Sequence, residues 1–85
     1  MAKKILVVED SEETREMVFE LLNMSDYEVY PVTDGIYALD VMEDNNPDLI
    51  IMDIRMPKRD GIQTAMAIRK DERFKKIPII FMYPV

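Results

Sequence analysis

Three stretches of this chain are apolar without interruption: residues 5–8 (Ile-Leu-Val-Val), residues 49–52 (Leu-Ile-Ile-Met) and most of residues 77–83 (Ile-Pro-Ile-Ile-Phe-Met-Tyr). A strand with one wet face alternates apolar and polar residues, whereas a continuous apolar run belongs to a strand covered on both faces, as in a parallel sheet. The segments between the runs have helical spacing. Ser11 offers an N-cap with Glu12 and Glu13 in the first turn, and Thr14, Met17, Val18, Leu21 and Leu22 form one stripe, with Phe19 off it. The residues Tyr27-Glu28-Val29-Tyr30-Pro31-Val32 read as a short strand whose proline suits a sheet edge. Thr33-Asp34-Gly35 supplies turn and cap chemistry for a second helix carried by Ile36, Leu39 and Met42, which Asn45-Asn46-Pro47 stops. A third helix is expected from Gly61 to about Glu72 with Ile62, Ala65 and Met66 inward, followed by a solvated end at residues 69–73. Strands alternating with helices through short connections imply right-handed crossovers. The expected fold is therefore α/β, a doubly wound parallel sheet of four strands and three helices, with Met17, Met42, Met52, Met66 and Met82 filling its core.

Composition narrows the chemistry. The 85 residues include no cysteine and no histidine, which excludes disulfides, thiol nucleophiles, histidine general bases and Cys/His zinc sites. Chemistry is left to carboxylates, hydroxyls, Lys and Arg. Charge is divided unevenly along the chain. Through Asp53, three bases stand against fourteen acids, a net of -11; from Ile54 onward eight bases stand against three acids, a net of +5. An acidic first half disfavours nucleic acid, and no stretch approaches the ~20 apolar residues that span a bilayer, so neither nucleic acid nor membrane is expected as a partner. A cytoplasmic location is the expectation that follows, as is a single domain over residues 1–85.

The acids fall at particular places. Glu9 and Asp10 end the first strand, and Asp53 ends the third, just before the turn Ile54-Arg55-Met56-Pro57-Lys58-Arg59-Asp60-Gly61. Ligands of open α/β sheets gather at the carboxyl ends of strands, near the point where strand order reverses. If the first and third strands are neighbours, the three carboxylates converge and repel one another unless a cation intervenes. Oxygen-only donors suit Mg²⁺, which would also let an anionic carboxylate approach an anionic phosphoryl donor. Taken singly, each acid is equally what a helix cap or a turn employs. Together they point to Asp53 as an acceptor of a phosphoryl group.

At these residues the chain resembles the receiver domain of bacterial two-component response regulators, the chemotaxis-regulator type included. The resemblance rests on Ile5-Leu6-Val7-Val8-Glu9-Asp10, Thr33-Asp34-Gly35, Pro47-Asp48-Leu49-Ile50-Ile51-Met52-Asp53, Met56-Pro57, Asp60-Gly61 and Ile77-Pro78-Ile79-Ile80, in order and spacing. It implies a flavodoxin-like sheet in strand order 2-1-3-4, Asp53 as phosphoacceptor, and Glu9, Asp10, Asp53 and the backbone carbonyl of Arg55 as Mg²⁺ ligands. A histidine kinase is the implied phosphodonor, and the chain is expected to be a signalling module rather than an enzyme. A metal-dependent phosphatase fits less well, because Arg55 stands where such enzymes carry a second aspartate.

The chain departs from the family pattern in two ways. Tyr83 and Pro84 occupy positions where the family has Thr or Ser and then a small residue. The family's fourth helix, fifth strand with its lysine, and fifth helix have no counterpart in the 85 residues, so the sequence reads as a receiver truncated after its fourth strand. Impaired phosphotransfer and switching are the expected result. Some 400 Å² of uncovered apolar sheet would forgo about 10 kcal/mol, which points to a homodimer through the fourth strand and the uncovered face. The alternative reading is a dimeric structural or folding module without phosphotransfer.

Overall fold

The computed structural model describes residues 2–56 and 60–82. Its elements follow in strict alternation: β1 (Lys4–Val8), α1 (Glu12–Met24), β2 (Glu28–Val32), α2 (Gly35–Asn45), β3 (Leu49–Asp53), α3 (Gly61–Lys70) and β4 (Ile79–Met82). The strands form one parallel sheet in the order β2-β1-β3-β4. The chain thus winds outward from β1 to β2, returns across β1 through α2, and continues to β3 and β4. That reversal puts the carboxyl ends of β1 and β3 side by side, in a register that pairs Val8 with Met52.

One face of the sheet carries most of the core. Leu6 and Val8 of β1, Val32 of β2, and Ile50 and Met52 of β3 cluster with Ala38 and Met42 of α2, Ile68 of α3, Met56 and Phe74. The opposite side of β1, Ile5 and Val7, is buried as well. There α1 packs on β1 and β2.

The helix ends follow their sequence signals. Asp34 caps α2 by accepting the Ile36 N–H at 2.8 Å, and Asn46, in the left-handed region at φ 46°, closes it with its own N–H on the Met42 carbonyl at 2.7 Å. Asp60 caps α3 through the Gln63 N–H at 2.8 Å.

Several packing expectations are corrected. No residue of α1 is fully buried, and Met17 and Leu21 of the expected stripe are 56% and 60% exposed, because the helix lies over only part of the sheet face. Phe19, although off that stripe, is half-buried beside Pro31. In α2, Ala38 and Met42 are buried whereas Ile36 is exposed. In α3 the inward residues are Gly61, Thr64 and Ile68, and Ile62 and Met66 face solvent. The phase of that helix is set at its first residue, where Gly61 is pressed against the end of β3. Met42 and Met52 are core residues, but Met17 and Met66 are not. The helix stops at Lys70, and the segment after it is anchored by Phe74, which is 3% exposed under the Arg73 guanidinium 4.7 Å from its ring. Expectations that concern Pro57, Tyr83 and Pro84 lie outside the described residues.

Candidate functional site

Glu9 follows directly on β1, and its N–H extends the ladder by one bond to the Val32 carbonyl at 3.0 Å. Its side chain turns back to accept the Ser11 N–H at 3.0 Å, while Ser11 opens α1 by accepting the Thr14 N–H at 3.4 Å. Glu9 is 5% exposed, whereas Asp10 stands in solvent. One strand away, Asp53 closes β3 opposite Met82 of β4, and its carboxylate accepts the Arg55 N–H at 3.3 Å. Asp53 is buried, at 7% exposure. Glu9, Asp10 and Asp53 each bring one carboxylate oxygen to within 4.8 Å of the other two. The convergence expected from the sequence is present.

The loop after Asp53 is held close to the site from below. Gly61 donates to the Ile54 carbonyl at 2.9 Å, and a Cβ at that position would press on the Asp53 carbonyl oxygen and lie 2.9 Å from the Ile54 Cα. Only glycine admits so close an approach of α3 to the strand end. Asp10, Ile54, Arg55, Met56 and Asp60 line an open recess of about 520 Å³ beside the carboxylates. Arg55 shares this recess with Asp10.

The electrostatics express the crowding. Burial pushes the Glu9 carboxyl above the ordinary carboxylate range, and the neighbouring charges of Asp53 and Asp10 push the same way, against the lowering effect of the Ser11 N–H. The three carboxylate oxygens, brought this close together, form an all-oxygen donor set of the kind that suits a hard cation. Sequence reasoning passed over one contributor. Arg15, in the first turn and a half of α1, reaches back so that its Nη1 donates to the carbonyl oxygens of Glu9 at 2.9 Å and Asp10 at 3.4 Å.

The model of the response regulator receiver domain matches residues 5–83. The chain belongs to that family. The polar-differentiation response regulator DivK of Brucella ovis is 35% identical over 80 residues, which make up 94% of this chain and 65% of DivK. This receiver thus spans about two-thirds of the length of the curated relatives it matches. Among solved structures, the chemotaxis protein CheY4 of Vibrio cholerae superposes with a TM-score of 0.92 at 34% identity, over 95% of this chain and 68% of CheY4. The receiver domain of a sensor histidine kinase from Pseudomonas aeruginosa, solved with a magnesium ion coordinated in its active-site cleft, gives 0.89 at 34% identity, over 95% and 66% of the two chains. Receiver domains serve two-component signalling, and the acidic cluster of this one is consistent with a Mg²⁺-binding phosphoacceptor pocket. Among the described residues no helix is long and apolar enough to cross a membrane.

Proposed function

We propose that Asp53 accepts a phosphoryl group and that Glu9, Asp10, Asp53 and the backbone carbonyl of Arg55 hold a Mg²⁺ ion beside it. The observation that carries this reading is the meeting of three carboxylate oxygens within 4.8 Å at the reversal point of the sheet. The donor set fits the ion, being all oxygen and flanked by a recess with room for coordinated water. When bound, Mg²⁺ offsets the negative charge of the carboxylates and of the phosphoryl group that approaches them.

The chain's own residues do the rest. An Asp53 carboxylate oxygen attacks phosphorus, the bond from phosphorus to the donor's leaving atom breaks with its electron pair on that atom, and an acyl phosphate is left on Asp53. The Arg55 N–H restrains the carboxylate while it reacts. Gly61 keeps the loop close enough for that hydrogen bond to form. The donor is a phosphohistidine of a histidine kinase or a small acyl phosphate, and the protein acts in the cytoplasm as a signalling module and not as an enzyme on other substrates.

Two finer readings accompany this one. Transfer to these 85 residues alone is slow, because Tyr83 replaces the short hydroxyl side chain of the family pattern with a phenol whose oxygen lies further from its backbone. The 85-residue polypeptide also pairs with a second copy through β4, an edge of the sheet on which Ile80 and Phe81 are 53% and 38% exposed. The main reading is tested by incubation with acetyl phosphate and Mg²⁺ followed by intact-mass measurement. A phosphoryl adduct that Asp53→Asn abolishes is expected; an adduct that survives the substitution would refute the assignment.

A further inference from the structure

Arg15 is the one base between Ile5 and Asp53, in a stretch that carries all fourteen acids of the first half. Among the described residues it forms no ion pair with any of them. Its guanidinium is spent instead on two backbone carbonyls, those of Glu9 and Asp10, through the single nitrogen Nη1. The same short segment is held at two further points, by the Val32 carbonyl on the Glu9 N–H and by the Ser11 N–H on the Glu9 carboxylate. Arg15 is the only side chain among these restraints that comes from outside the turn itself.

From this arrangement we infer that Arg15 is a positioning residue for the metal site: it fixes the β1–α1 turn so that the Glu9 and Asp10 carboxylates face Asp53. The inference rests on the proposed Mg²⁺ site. A guanidinium bound directly to the carboxylates would compete with a cation for their oxygens. Bound to the carbonyls behind them, it leaves those oxygens free and holds the backbone that aims them. The charge and the geometry then pull in opposite directions. Removing a cation from the neighbourhood of an acidic cluster strengthens its attraction for Mg²⁺, whereas releasing the turn weakens it. The sign of the change in affinity separates a positioning role from a purely electrostatic one.

The test is Mg²⁺ affinity by titration calorimetry on the 85-residue chain and on Arg15→Gln, Arg15→Lys and Ser25→Ala, with folding of each followed by circular dichroism. Loss of a group that orients metal ligands costs about 10-fold or more in affinity, which is the weakening expected for Arg15→Gln. Arg15→Lys, with one nitrogen donor and the charge retained, falls between it and the parent. Ser25→Ala removes a hydroxyl that donates to the Leu21 carbonyl at 3.3 Å at the far end of α1 and leaves the turn untouched, so its affinity stays at the parent value. Arg15→Gln binding as tightly as the parent, or more tightly, overturns the inference. If Arg15→Gln does not fold, Arg15→Lys binding equal to the parent overturns it. A parent that binds no Mg²⁺ removes the proposed site, and this role with it, and is distinguishable from the other outcomes because it requires no variant.

Discussion

Glu9, Asp10 and Asp53 bring negative charge into a small volume, and two of the three side chains are buried. Without a cation that arrangement costs stability, as residues gathered for chemistry commonly do. Replacing Asp53 by Asn keeps the shape and removes one charge, and is expected to stabilise the metal-free protein by about 0.5–2 kcal/mol. In a domain of this size each kcal/mol raises the melting temperature by roughly 4–8 °C. Thermal unfolding with and without Mg²⁺ checks this: the parent rises on adding the ion and the variant, already higher, rises less. A second expectation concerns Tyr83. Substitution by Thr restores a short hydroxyl, and the rate of labelling by acetyl phosphate should increase by about 10-fold or more, as for one added donor to a developing charge. The place of Asp53 was legible in the sequence because an acid placed directly after an apolar run has one address, the mouth of a buried strand. Arg15 was not legible, since nothing in its local pattern tells which of several nearby carbonyls and carboxylates a long side chain will choose.

Among the elements, α3 shows what the sequence leaves open. Its apolar residues Ile62, Ala65, Met66 and Ile68 allow two helical phases, and the contact of Gly61 with the end of β3 selects the one that buries Thr64 and Ile68. Ile68→Ala is therefore expected to cost about 2–5 kcal/mol and Met66→Ala about 0.5 kcal/mol or less, compared by urea unfolding. Gly61→Ala should cost about 1–3 kcal/mol, because the added methyl meets backbone and not a side chain that can move aside. The segment after α3 supplies a pH dependence. Arg73 donates from its guanidinium to both Asp71 carboxylate oxygens, at 3.0 and 2.8 Å, and its N–H adds a third bond at 2.9 Å. The guanidinium first, and the N–H next, hold the Asp71 carboxyl below its ordinary value. A lowered folded-state value means that this contribution is fully present above the ordinary carboxylate range and is lost as pH falls through the Asp71 value in the folded protein. Carbon-detected NMR titration of the Asp71 carboxyl should show the lowered midpoint, and Arg73→Ala should return it toward the ordinary range.

At the scale of the molecule, strand order was legible because continuous apolar runs, short connections and right-handed crossovers leave few arrangements, and the family pattern selects one of them. How much apolar surface stays outside was less so. A Cα radius of gyration of 11.8 Å is close to the ~12 Å expected of a compact domain of this length, so the exposed Met17, Leu21, Ile80 and Phe81 do not reflect a loosely packed chain. For the 85-residue chain by itself we propose that association between copies covers part of them. Light scattering on the 85-residue chain should report a dimer that dissociates on dilution, and Ile80→Lys should shift it to monomer at the same concentration. A stable monomer at high concentration would remove that part of the account. The acidic site does not depend on it.

The central claim is that Asp53 is the residue on which a phosphoryl group comes to rest. An acyl phosphate reacts with borohydride, so treatment with acetyl phosphate and Mg²⁺, reduction, and peptide mapping converts the modified aspartate to homoserine and reads its position. The account predicts homoserine at position 53 alone, and only when Mg²⁺ is present during labelling. Homoserine at Asp10 or Asp60 in place of Asp53, or labelling of equal extent in a chelator, would contradict it.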